Sequence, residues 1–180
     1  MMEAALDREL AEKIRKIKLL ILDVDGVLTE GKIVYDSEGR DMRSFDTQDG
    51  IGIRMLFDAG IETILVTILA SGAIERRAKD LKIERVYQGV LPKTRVLDEI
   101  LQEGSISKEE ICCVGDDLVD LGMMKAVGFP AAPANARPEV KDVALYVTEK
   151  KGGKGAVREV AELILKTQGK WNHILEEMLS

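Results

Sequence analysis

At 180 residues and 46% hydrophobic composition, the chain is long enough to bury one full core and too short for two ordinary domains with separate cores. Charged residues make up 32% and the formal net charge is −6, so the surface is acidic and offers no basic field of the kind that draws in nucleic acid. The longest apolar runs, such as 19–22, fall far below the roughly 18 residues a membrane helix requires, and segment 1–18 lacks the apolar stretch of an export signal, which together predict a soluble, cytoplasmic protein with no membrane partner.

In chain order, an amphipathic helix is expected over 3–16, a strand over 18–23 and two short strands within 32–45 around Asp36-Ser37-Glu38-Gly39, a hairpin signal with glycine at a turn position. Helices follow over 50–59, 72–81, 93–103, 118–126 and 156–167, with strands over 63–67, 85–87, 111–115, 128–131 and 144–147, and a short helix after Gln168. Strand and helix signals alternate everywhere except in the hairpin, so the class is α/β, a doubly wound parallel sheet from which the hairpin projects. The two cysteines, Cys112 and Cys113, are neighbours in a strand and should point to opposite faces, unable to form a staple or a metal clip. With a single histidine, His173, far along the chain, the chemistry has to rest on carboxylates, hydroxyls and lysines.

Two apolar strands end in acids. Leu19 to Leu22 runs into Asp23-Val24-Asp25-Gly26, and Ile111 to Val114 runs into Gly115-Asp116-Asp117-Leu118-Val119-Asp120. The carboxyl ends of strands in open α/β sheets are where ligands bind. Aspartate after a strand is also a common turn former and helix cap, so neither motif alone is specific. Acids gathered at one edge repel unless a cation offsets them, and a hard, oxygen-seeking ion such as magnesium would do so. Thr67 at the end of a third strand could hold a phosphoryl oxygen, and Lys93 at the start of a helix could offset phosphoryl charge during transfer, although each residue type in such a place is more often structural.

The ordered set Asp23-x-Asp25, Thr67, Lys93 and Gly115-Asp116-Asp117-x-x-Asp120 resembles the four motifs of the haloacid dehalogenase superfamily. Between Asp25 and Thr67 lie 41 residues and between Thr67 and Lys93 lie 25, too few at either place for an inserted cap. Within the superfamily, the Asp23 to Thr29 segment, the hairpin, Phe45-Asp46-Thr47-Gln48-Asp49-Gly50 and the glycine-rich tail from Gly152 to Glu159 resemble the 3-deoxy-D-manno-octulosonate 8-phosphate phosphatases, over about 17–169. The resemblance implies a single core domain over 1–180 and a magnesium-dependent phosphomonoester hydrolase for a small phosphorylated sugar acid of lipopolysaccharide precursor synthesis.

It also implies roles. Asp23 would be the nucleophile forming an aspartyl phosphate, and Asp25 the acid and base. Asp23, the carbonyl of Asp25 and Asp116 would hold Mg2+, with Asp117 and Asp120 behind them. Gln48, Ser71 and Lys154 would stand near substrate, in a homotetramer whose hairpins pack together and whose tails approach neighbouring sites. This chain departs from the family at Ile68-Leu69, where Gly-Arg is usual, and at Lys154, where arginine is common. A nine-carbon sugar-acid phosphate is therefore an alternative substrate, and a binding protein without turnover or a phosphate-accepting receiver domain are rival readings. The segment Gly152 to Gly155 is open between an anion-binding loop and a flexible linker.

Overall fold

The computed structural model describes residues 7–179, so most of the residues expected to open the first helix lie outside the described part. Helix α1 (Arg8–Arg15) leads into strand β1 (Leu19–Leu22), followed by a two-residue pair, β2 (Val34–Tyr35) and β3 (Asp41–Met42), which is the expected hairpin. The chain then alternates: α2 (Thr47–Asp58), β4 (Glu62–Val66), α3 (Gly72–Asp80), β5 (Arg85–Tyr87), α4 (Thr94–Gln102) and β6 (Ile111–Val114). After β6 come a 3-10 turn (Leu118–Asp120), α5 (Leu121–Met124), β7 (Phe129–Ala132), α6 (Pro138–Lys141), β8 (Tyr146–Val147), α7 (Ala156–Thr167) and α8 (Trp171–Leu179).

The six long-range strands form one parallel sheet in the order β5-β4-β1-β6-β7-β8, while β2 and β3 pair antiparallel apart from it. Because β1 is central, its four residues are fully buried and read as a continuous apolar run, as a strand covered on both faces should. Its side chains alternate between two cores. Leu20 and Leu22 join Ile14, Ile53, Leu56, Ile74, Val160 and Ile164 of α1, α2, α3 and α7, while Leu19 and Ile21 join Val96, Ile100, Met123 and Val140 of α4, α5 and α6. The cysteines follow the same alternation, Cys112 in the first core and Cys113 in the second, both fully buried.

Two expectations need correction. The helix read over 118–126 is broken, because the carboxylate of Asp117 accepts the Leu118 N–H and that of Asp120 accepts the N–H groups of Asp116 and Asp117, which winds the first three residues into a 3-10 turn before α5 begins. The short α6, opened by Pro138 at its first position, was not expected at all, since four residues are too few for a hydrophobic period to register.

Candidate active site

The strand order reverses direction at β1, which has β4 on one side and β6 on the other. The ligand crevice of a doubly wound sheet opens at such a point, outside the carboxyl ends of the strands. Asp23 leaves β1 there, tied down by its own N–H to the carbonyl of Val114 at 3.1 Å. Asp116 leaves β6 beside it, and Thr67 leaves β4 with its N–H on the carbonyl of Tyr87 at 2.9 Å. A cavity of about 190 Å³ joins Asp23, Asp25, Thr67, Lys93, Asp116 and Asp117, with Ile68, Leu69 and Val119 as its apolar wall.

Lys93 brings a positive charge into this buried site. It is 1% exposed and reaches Asp23 at 2.5 Å and Asp120 at 2.6 Å. A buried lysine would ordinarily lose its proton, yet here burial is outweighed by the two carboxylates, and the ammonium is held above its usual range. Asp120 divides its oxygens: one accepts from Lys93, the other from the backbone N–H groups of Asp116 and Asp117 at 3.0 and 3.2 Å. It thus fixes both the lysine and the loop that carries Asp116.

The carboxylates of Asp23, Asp116 and Asp120 place oxygens within 4.8 Å of one another. With Asp120 fully engaged, the free capacity falls to Asp23 and to Asp116, whose buried Oδ1 has no hydrogen-bond partner. Burial pushes Asp23 up to about 6, against the pull of Lys93, and pushes Asp116 up to about 7, with the charge of Asp23 adding to the rise. An orphaned carboxylate oxygen facing a second raised carboxylate fits a hard divalent cation, because a cation would satisfy both charges at once. Gly26, at φ +102°, lets this happen: a Cβ there would sit 2.0 Å from Oδ2 of Asp116.

The three residues expected near substrate are each engaged locally within this chain. Ser71 caps α3, its hydroxyl accepting the Ala73 N–H at 3.1 Å. Gln48 is exposed in the first turn of α2, and the Lys154 ammonium pairs with Glu30 at 2.9 Å in solvent. None of them lines the cavity at Asp23. The glycine-rich segment is neither a linker nor an anion nest, since all four of its amides are spent internally: Gly152 on Asn135 Oδ1, Gly153 on the Val27 carbonyl, Lys154 on the Lys151 carbonyl and Gly155 on Asp49. Asp49, although it sits in the first turn of α2, accepts from Gly155 and Arg158 at the start of α7, while Asp46 caps α2.

Two working contacts escaped the sequence reading. Arg43 of the hairpin donates to both carboxylate oxygens of Asp25, from Nε at 2.9 Å and Nη2 at 3.1 Å, and also pairs with Asp41. Asn135 donates to the Gly26 carbonyl at 2.9 Å and accepts from the Gly152 N–H at 2.6 Å, bracing the loop after the nucleophile. Both link residues far apart in sequence, and no local pattern announces either.

Comparison with known proteins agrees with this layout. Residues 73–160 match the family described as haloacid dehalogenase-like hydrolase. A 3-deoxy-D-manno-octulosonate 8-phosphate phosphatase of Escherichia coli K12 is 41% identical over 158 residues, covering 88% of this chain and 84% of that protein. The crystal structure of the phosphatase of the same name from Moraxella catarrhalis, in complex with magnesium, phosphate and KDO, superposes with a TM-score of 0.93 at 37% identity, covering 96% of this chain and 99% of that one. The cobalt-bound form from Haemophilus influenzae superposes at 0.84 with 39% identity, over 88% and 92% of the two chains.

Proposed function

This chain belongs to the 3-deoxy-D-manno-octulosonate 8-phosphate phosphatase family of haloacid dehalogenase-like hydrolases, and from that premise we propose that it releases phosphate from 3-deoxy-D-manno-octulosonate 8-phosphate through an aspartyl phosphate on Asp23. The observation that carries the reading is the buried set of Asp23, Lys93 and Asp120 beside the unpartnered oxygen of Asp116, at the switch point of the sheet. Asp23 is the only one of these carboxylates that combines a fixed backbone with an oxygen facing the cavity and a lysine to offset the incoming phosphoryl charge.

In the first half-reaction an oxygen of Asp23 attacks phosphorus, the bond from phosphorus to the sugar oxygen breaks, and Asp25 gives that oxygen its proton. In the second, water attacks the phosphoryl group, its proton passes to Asp25, and the bond to Asp23 breaks to release phosphate. Lys93 offsets the negative charge on the equatorial oxygens in both steps, and the Thr67 hydroxyl holds one of them. Asp23, the Asp25 carbonyl and Asp116 would hold magnesium, which would supply further charge neutralisation at the phosphate.

The apolar wall of Ile68 and Leu69 favours a second reading, a related sugar-acid phosphate such as a nine-carbon ulosonate, because no cation of this wall is available to a substrate carboxylate. The assembly proposed for the family, a homotetramer with the hairpins packed together, is supported by Val34, Tyr35 and Met42, each at least half exposed on the hairpin. No helix of the described residues is long and apolar enough to cross a membrane, and we place the enzyme in the cytoplasm.

Phosphate release is the test, with and without magnesium, across the octulosonate 8-phosphate, nine-carbon sugar-acid phosphates and simple sugar phosphates, with Asp23→Asn as control. A magnesium-dependent preference for the octulosonate is expected. Preference for a nine-carbon acid would move the substrate and keep the mechanism, and absence of magnesium-dependent release from every compound would overturn the reading.

A further inference from the structure

The hairpin is mostly solvent-exposed, yet it carries one fully buried charged side chain. The Arg43 side chain is 1% exposed and lies between two carboxylates, Asp41 of β3 just before it and Asp25 of the nucleophile loop. Its contact with Asp25 is two-pronged, Nε on Oδ1 and Nη2 on Oδ2, and Thr29 reaches Oδ1 from the other side at 3.4 Å. The Thr29 hydroxyl accepts the N–H groups of Gly26 and Gly31, so its one hydrogen is left for Asp25.

A side chain that moves protons to and from a reacting oxygen has to be held in one orientation, because misplacement of about 1 Å costs about 100-fold in rate. A planar guanidinium bonded to both oxygens fixes the plane of a carboxylate, which a lysine, as a point charge, does not. Arginine also keeps its own protons, so it orients Asp25 without competing as proton source. We propose that Arg43 is a positioning residue for Asp25, and that the hairpin is thereby a working part of the site and not only an assembly surface. This inference rests on Asp25 as the proton carrier of both half-reactions.

The two halves make the proposal measurable, because an aryl phosphate leaves without a proton while an alkyl phosphate requires one. In Arg43→Ala and Arg43→Gln, kcat for a sugar phosphate is expected to fall about 10- to 100-fold with KM little changed, the scale of a misplaced group and less than the about 100- to 10,000-fold that general acid–base catalysis supplies in full. With para-nitrophenyl phosphate the first step survives, but hydrolysis of the aspartyl phosphate still needs Asp25 as base. A burst of one nitrophenolate per active site, followed by a slow steady state, is expected in a stopped-flow trace. Arg43→Lys should recover part of kcat, since it restores the charge and not the fork.

Asp25→Asn is measured alongside. If it keeps its activity, the proton-carrier reading fails and this inference with it. If it loses activity while the Arg43 variants keep kcat within about twofold for the alkyl substrate, the positioning role alone is overturned. A loss seen equally with both substrates, without a burst and matched by a lower unfolding midpoint in all three Arg43 variants, assigns Arg43 to fold stability and overturns it as well.

Discussion

Two lysines of this protein make the same chemical contact in opposite surroundings. Lys93 touches Asp23 and Asp120 with all three groups buried, and Lys154 touches Glu30 with side chains 58% and 43% exposed. The distances differ by a few tenths of an ångström, but the consequences do not scale with distance. In water the Lys154 pair replaces equally good hydration and is screened by salt. In the interior the Lys93 contact cannot be given up, because each partner would be left as an uncompensated charge. A short ion pair in a structure is therefore informative about function in proportion to how dry it is.

Breaking the buried set should have the largest effect. Lys93→Ala leaves Asp23 and Asp120 facing each other, and urea unfolding at neutral pH should show a loss of about 3–5 kcal/mol. Phosphate release should fall at least about 100-fold, the scale of one lost oxyanion-stabilising group.

The next effect runs the other way. Asp116 is raised to about 7 in the folded chain from an ordinary value near 3.8. The folded state therefore holds a proton that the unfolded state gives up, and without metal this costs stability progressively as pH rises from about 4 to about 7. Asp116→Asn removes that cost. Calorimetry in a chelator at pH 7.5 should show a higher Tm than the parent with a flatter profile between pH 4 and 7, while added magnesium, which should raise the parent's Tm, should no longer do so.

Asn135→Ala sharpens the comparison from the neutral side. It leaves a buried Gly26 carbonyl and the Gly152 N–H without partners, and should cost about 1–3 kcal/mol in urea unfolding with a further loss of activity through the nucleophile loop. Smallest of all, Lys154→Ala should leave the unfolding midpoint unchanged at 150 mM salt, about the physiological ionic strength, which a melting curve would settle.

What could be read in advance follows the range of each interaction. Apolar runs such as Leu19–Leu22 and Ile111–Val114 announce buried strands because burial on both faces demands it locally, and the acids that follow them mark the site through topology alone. Cys112 and Cys113 fell on opposite faces for the same local reason, the period of a strand. Contacts that depend on chain crossing were not legible. Arg43 reads as one more surface arginine on a hairpin until the fold brings Asp25, 18 residues away, beneath it. Asp49 looks like a cap for the helix that contains it and serves another helix, because α2 and α7 pack side by side. Gly152 and Gly153 suggest looseness, whereas a Cβ on Gly152 would come within 1.8 Å of the Gly26 carbonyl oxygen. Glycine there signals that two backbones touch, and a single sequence does not distinguish that from freedom.

That contact between Gly152 and Gly26 also orders events during synthesis. Asp23 emerges from the ribosome early, and the core strand beneath it can pair as soon as β4 and β6 arrive. The loop that carries the nucleophile, however, is wedged in place by Asn135 and by the amides of Gly152 and Gly153, which are translated more than a hundred residues later. The first functional group made is the last to be locked, so a nascent chain can have a nearly complete sheet while its catalytic loop still waits for its brace.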